Sequence, residues 1–538
     1  MSRRPLTAGL LALALMATAC SMGTHPGSAV DGAAERTVMT AKATKDVDKV
    51  TWNVFQGEPE TIDPFRSADY TPNTINSNMC ETLLARTPDS AIRPNLAKSV
   101  TNPGPLRWVY ELRDDVTFWD GSPMTAEDVA WSLRHNLTDK TSLYNFLFAN
   151  VRDVQVTGAH QVTVSLKTPD YLFNDELASF AGVVVQKRFY LEHAKNFGTP
   201  GTGVMCTGPF AFTKWRQGQS ITLTRNDHYW NTALRPKVHT LDFTFLTDDT
   251  AITAGLLRGQ IDGAYSLPPS GRDQLRNSRN GTITQGLAPV NVTLVYAEPK
   301  GPMADPALRR ALQLAIDWKG IADKVYPGLA RPIKLQTPPS VYGFAKADLD
   351  ALAATLPEPV SAHYDEARKL VGRAPARPVT MVVPDSADTR RLGLAVKDAA
   401  DRIGLPFKLR VVPQTGYSNY LYDAQTRAGI DILYTQFWPN TVNPLDWIAS
   451  TAVTGGLFNQ YGFDGVDAAF AEARRTADPA ERARLVAKME TTLHDRLLPM
   501  VPGLQLDNDL WMNKRITGAP AAFDYIYYPW AAHLGGVG

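Results

Sequence analysis

Apolar and polar residues follow two periods along this chain. Leu241, Phe243 and Phe245 alternate with Asp242 and Thr244, and Val162, Val164 and Leu166 alternate with Thr163 and Ser165. Each run predicts a strand with one buried face. Val379 to Val383 and Ile430 to Tyr434 are apolar without alternation, the pattern of strands covered on both sides. Elsewhere the spacing is four. Val129, Leu133 and Leu137 follow Thr125 and Asp128, a pair that resembles a capping box. Leu308, Leu312 and Ile316 follow Asp305-Pro306, and Leu485, Met489 and Leu493 follow Asp478-Pro479, in each case a cap with proline at the first helical position. Such stripes are core and carry no function by themselves. Strands and helices alternate from Lys49 onward, which predicts an α/β fold. Residues 21 to 47 are small, polar and weakly patterned, and predict a flexible tether.

The first residues set the compartment. Arg3 and Arg4 precede an apolar run from Leu6 to Met16, which is well short of the ~20 residues a membrane-spanning helix needs. Small residues then lead to a cysteine, Ala17-Thr18-Ala19-Cys20, where a signal peptide is cut. This stretch resembles the lipobox of bacterial lipoproteins, with Ala17 in place of the commoner leucine. The resemblance implies a signal peptide over 1–19, lipid on Cys20, a tether over 20–47, and an exported protein anchored to the outer face of the cell membrane. An ordinary secretory signal cut nearby is the alternative.

A length of 538 residues predicts two or three structural units, and 44% apolar against 20% charged residues allows real cores. Lys plus Arg is 55 against 54 for Asp plus Glu, with no basic stripe, so nucleic acid is excluded as a partner. The three cysteines are Cys20, Cys80 and Cys206. With Cys20 lipidated, Cys80 and Cys206 remain, either bridged outside the cytoplasm or held as two buried thiols. There is no G-x-S-x-G elbow, H-E-x-x-H pair or phosphate-binding loop, and the nine histidines are scattered. No catalytic residue, metal or cofactor is expected. A secreted hydrolase is the alternative from another class, without a positive feature of its own. Aromatics are in excess between 417 and 447: Tyr417, Tyr420, Tyr422, Tyr434, Phe437, Trp438 and Trp447. Flat rings serve a core or grip a varied ligand in a cleft.

Several stretches in series resemble the family 5 extracellular solute-binding proteins, the oligopeptide, dipeptide and nickel receptors of ABC importers. They are Glu60-Thr61-Ile62-Asp63-Pro64, the run from Phe118 to Val129 (FWDGSPMTAEDV), Thr207-Gly208-Pro209-Phe210, Leu223 to Trp230 (LTRNDHYW), Gly259-Gln260-Ile261-Asp262, and the helix from Leu308 to Asp317. The resemblance covers nearly the whole mature chain. It implies a two-lobed periplasmic-binding-protein-like fold of type II with an extra subdomain, and a ligand cleft between hinged lobes. Residues 48–88, 206–292 and 509–538 would form the first lobe, 89–205 the subdomain and 298–508 the second lobe, with the chain crossing near Tyr296–Glu298 and Leu506–Asp509. The implied function is capture of a small solute, an oligo- or dipeptide first, by a monomer that delivers it to a permease with its ATPase. A disaccharide, metal chelate or secondary metabolite is the alternative within binding.

Site residues carry over position by position. The stretch Asp431 to Trp438 resembles the strand that pairs its backbone with a peptide ligand. This puts Tyr434, Gln436, Phe437 and Trp438 at the cleft, with Phe437 where the family has a ligand-facing tryptophan. Asn440 stands where oligopeptide receptors place an aspartate for the ligand's α-ammonium. Asp69 and Tyr70 resemble the loop on the first lobe's side, and Tyr144 the aromatic that the subdomain offers.

Overall fold

The computed structural model describes residues 36–359, 362–414 and 416–538. Cys20, the expected signal peptide and the start of the expected tether lie outside them.

Eleven strands form one mixed sheet. On the first-lobe side, Val47–Asn53 runs parallel to Val238–Thr244 and Gly263–Tyr265. Ser220–Arg225 and Phe210–Arg216 continue the sheet antiparallel. On the second-lobe side, Val379–Pro384 runs parallel to both Phe407–Val412 and Ile432–Phe437. These parallel pairs are joined by helices, as parallel connections require. Between the two sides lie Gly281–Tyr296 and Leu504–Asn513, paired antiparallel with each other. A separate four-stranded antiparallel sheet, Ala97–Gly104, Arg107–Leu112, Gln161–Leu166 and Val151–Gly158, forms the subdomain with helix Ala126–Thr138 on it.

The caps act as the spacing predicts. Thr125 and Asp128 exchange side-chain and backbone bonds in a full capping box, and Asp305 and Asp478 accept from Ala307 and Ala480. Asp242, on the polar face of its strand, is nevertheless buried, because Lys49 and Thr222 take its carboxylate.

Two expectations are corrected. The tether does not extend to 47. Thr37 donates to Gln285, Met39 bridges Pro520, Lys45 bridges Gly536, and Ala43 is buried. Backbone pairing needs no apolar side chains, so composition did not reveal it. The chain also crosses between lobes before Tyr296, which still pairs with Ile432 inside the second lobe. The ladder of the two crossing strands shifts register between Gly286 and Val290, opposite Asn508 and Leu506, and the lobes change over there.

The family-like motifs converge on architecture. Glu81, buried, accepts from Thr207 at 2.8 Å, Tyr229 at 2.9 Å and the Trp230 indole at 2.9 Å. Gly208 is required beside them: a Cβ there would stand 2.3 Å from the Met79 carbonyl oxygen. Cys80 and Cys206 form a disulfide next to this cluster, closing a loop with a sequence separation of 126. A loop of that length stabilises by roughly 3–5 kcal/mol through the unfolded chain. Thiol titration of denatured, unreduced protein trimmed to residue 36 should therefore find no free thiol. Replacing both cysteines by serine should lower the urea midpoint by a matching amount.

Candidate ligand-binding site

Two walls face each other where the lobes meet. The first is the start of helix Tyr70–Asn76. Asp69 occupies its N-cap position, yet its side chain makes no capping bond. The carboxylate is open to water, while burial and then the Glu60 charge raise it above its ordinary value. Exposure and enclosure conflict only on a flat surface. In a concave one a group touches water and is still surrounded by protein. Tyr422, from the second lobe, behaves alike: 56% exposed, its hydroxyl pushed up to about 12 by burial and then by Asp69. The Asp69 charge is thus felt at Tyr422 across the lobe junction.

Tyr70 itself is buried, its ring 4.1 Å from Trp438 of the other lobe and 5.3 Å from Phe55. Beneath it lies a cavity of about 10 Å³ lined by Trp52, Phe55, Thr71, Tyr265 and Tyr525 among others. A wider groove of about 710 Å³ runs along helix Tyr364–Val371, but among the described residues only that one segment lines it.

The second wall is strand Ile432–Phe437. Tyr296 and Leu294 of the long crossing strand turn their backbone groups toward Pro499 and Val501, away from this strand. Alternation then directs Leu433, Thr435 and Phe437 to the crossing strand, and Ile432, Tyr434 and Gln436 to the opposite edge. On that edge Val379–Pro384 pairs only with Ile432 and Leu433. The Tyr434 carbonyl accepts from the Tyr417 hydroxyl at 2.6 Å. The N–H and C=O of Gln436 thus face an edge on which no described residue pairs with them, and the Gln436 side chain is exposed.

Period-two alternation also separates the expected aromatics. Trp438, half-buried, stays at the lobe junction with Tyr70 and Phe523. Phe437 turns the other way and packs on Trp447 at 5.0 Å and Phe458 at 4.7 Å, a core position in the second lobe. Tyr434 is buried beneath Tyr417. Tyr144 is buried as well, and its hydroxyl donates to the Ser67 carbonyl at 2.5 Å. Leu143 donates to Phe65, which draws this loop onto the Asp63–Ser67 turn instead of toward the cleft.

Asn440 is occupied by protein. Its amide donates to Glu176 at 3.3 Å and accepts from the Tyr527 hydroxyl at 3.0 Å, while Arg86 donates to its carbonyl at 2.7 Å. These bonds join the second lobe to the first, as do Asn443 to Asp175 at 3.1 Å and the Arg474–Asp170 ion pair. Glu176 and Arg86 escape sequence reasoning. Their one signal is a charge set in an apolar surround, as in Leu177 and Ala178 after Asp175-Glu176. Among the described residues no three His, Cys, Asp or Glu side chains gather to hold a metal ion, and no helix is long and apolar enough to cross a membrane.

Comparison with known proteins accounts for this geometry. The model of the bacterial extracellular solute-binding proteins, family 5 Middle, matches residues 91–456. The chain belongs to family 5 of the bacterial extracellular solute-binding proteins. It is similar to Protein XP55 of Streptomyces lividans, 29% identical over 329 residues, a match covering 60% of this chain and 56% of that protein. The glutathione-binding protein GsiB of Salmonella typhimurium is 25% identical over 476 residues, covering 83% of this chain and 86% of that one. The oligopeptide-binding protein AppA of Bacillus subtilis, solved with a nonapeptide, shares the fold with a TM-score of 0.76 at 18% identity, over 92% of this chain and 100% of that one. Family membership makes this a solute-binding protein, with the type II fold of its structural neighbours.

One contact at the junction is decisive for integrity. Arg86 and Asp524 form an ion pair whose side chains are 0% and 2% exposed. Removing one partner of such a pair leaves a buried charge without a counterion, at about 3–5 kcal/mol. Arg86→Met should lower the urea midpoint accordingly, and adding Asp524→Asn should restore much of it. Equal midpoints for wild type and Arg86→Met would contradict this.

Proposed function

We propose that the protein is the exported receptor of an ABC importer, closing on a peptide-class solute and presenting the closed form to a membrane permease with its ATPase. The observation that carries this reading is the free edge at Gln436. An extended peptide offers C=O and N–H groups at the spacing a strand edge accepts, and such backbone pairing is indifferent to ligand sequence. Trp438 and Tyr422 supply flat faces for side chains beside that edge. GsiB and AppA, by name a glutathione and an oligopeptide binder, point to the same class.

Asp69 supplies the charge. With Asn440 engaged by Glu176 and Tyr527, the carboxylate open to the cleft is Asp69, backed by Glu60. A ligand ammonium or guanidinium would meet it with a charge-assisted hydrogen bond and find the Tyr422 ring beside it. The protein acts as a monomer and performs no chemistry on the solute. Lipid on Cys20 holds it to the outer face of the membrane, motivated by Ala17-Thr18-Ala19-Cys20.

Mass spectrometry of solute released from purified protein identifies the ligand class directly, and peptides are expected. In calorimetry with trialanine and Lys-Ala-Ala, Trp438→Ala should weaken both by more than about tenfold, ~1.4 kcal/mol. Asp69→Asn should weaken the lysyl peptide more than trialanine. A released sugar or metal chelate, with no heat from either peptide, would overturn the peptide assignment.

The anchor is tested separately. Cys20→Ser protein should leave the membrane fraction after a high-salt wash. Retention would show another anchor.

A further inference from the structure

Glu176 ends the short subdomain helix Phe173–Glu176, and Asp446 lies in the first turn of helix Pro444–Thr451 in the second lobe. Both are buried, at 2% and 1% exposure. Each has one oxygen engaged. Asn440 donates to Glu176 Oε2 at 3.3 Å, and Thr441 donates to Asp446 Oδ2 from its N–H at 2.7 Å and its hydroxyl at 3.3 Å. The remaining oxygens, Glu176 Oε1 and Asp446 Oδ1, meet no donor among the described residues. Asn440 and Thr441 are consecutive, so the two carboxyl groups they bond lie side by side, and the Asp446 charge raises Glu176.

The charges around them nearly cancel. Arg86 acts on Asp446 but is held by Asp524, and Arg474 acts on Glu176 but is held by Asp170. Asp175, next on the helix, bonds Asn443 and feels Arg482. Tyr527 stands by as a neutral hydroxyl. Among the described residues no cation forms an ion pair with either carboxylate, so their approach is favourable only with a proton between them.

We propose that Glu176 and Asp446 form a proton-shared latch between the lobes, so that closure takes up one proton and acidification favours the closed, solute-holding form. This regulates the cleft described above without depending on which solute it takes.

The sign follows from the two states. In the closed form, burial and then the Asp446 charge raise the Glu176 carboxyl, and burial raises Asp446. Opening separates the groups into water, where each returns to the ordinary carboxylate range. The closed form therefore binds the extra proton more tightly. Its advantage is complete below the ordinary range and is lost as pH climbs through the raised value, by up to about tenfold in the closure constant per pH unit.

Small-angle scattering of the ligand-free full chain tests this with no knowledge of the solute. Between about pH 5 and about pH 8 the wild type should pass from compact to extended, over the window in which one proton is lost. Glu176→Gln should stay compact throughout, because its amide donates to Asp446 at every pH. A wild-type radius indifferent to pH, or a Glu176→Gln protein that opens along the same curve, overturns the latch. Carbon-13 carboxyl titration of the wild type gives an independent reading that needs no variant. Two carboxyls titrating together above the rest are expected, and their absence equally overturns it. Neither measurement involves peptide binding, so failure here leaves the receptor assignment standing, and failure there leaves the latch standing.

Discussion

Both passages of the chain between the lobes belong to one antiparallel ladder, Gly281–Tyr296 against Leu504–Asn513. Everything at the cleft depends on that ladder, because it makes a single sheet of two lobes and fixes which strand faces which wall. Rigid on either side, it is interrupted only between Gly286 and Val290. At the interruption Asp507 is held by Arg36 and Arg331, and just beyond it Asp509 is paired with buried Arg272. Gly286 is demanded there, since a Cβ would stand 2.2 Å from the Ala521 carbonyl oxygen. A bulge flanked by anchored residues confines backbone change to a few torsions, which is what a hinge requires.

The surfaces brought together by this hinge are mixed in character. Trp438 meets Tyr70 in an apolar contact, while Asn440, Asn443 and Arg474 meet Glu176, Asp175 and Asp170 in polar ones. Drying charged groups offsets most of what their pairing gains. A closed form built this way is only marginally favoured without ligand, so modest ligand contacts decide the equilibrium. An apolar closing surface of the same size would hold the lobes shut regardless of solute.

The architecture was largely legible in the residues. Caps at Thr125, Asp305 and Asp478 and the strand alternation around Leu241 depend on neighbours in sequence, and those neighbours act as the spacing says. The motifs were legible for a related reason: Thr207, Tyr229 and Trp230 converge on buried Glu81 as a packing device, and packing is what their sequence pattern serves. The cleft was less legible. The choice between Phe437 and Trp438 turns on strand phase, a matter of one residue that sends one ring to the core and the other to the junction. Asn440 has the right position, but Glu176, 264 residues away in the chain, and Tyr527, 87 residues away, occupy its amide, and no local pattern announces them.

The same contrast explains why family and solute separate so cleanly. The motif residues Thr207, Tyr229 and Trp230 bond Glu81, Asp262 pairs with Arg515, and Arg309 donates to the Met303, Ala304 and Arg496 carbonyls. These bonds join parts of the fold to one another, so their role does not depend on what is bound. The groups proposed to face the cleft are Asp69 and Tyr422, both exposed, half-buried Trp438, and the backbone edge at Gln436. Exposed side chains can change without disturbing a core, and a backbone edge has no sequence signature at all. On the proposed reading, one fold and one closing motion would serve different solutes, with backbone pairing supplying affinity common to all peptides and a few accessible side chains such as Asp69 supplying the choice among them.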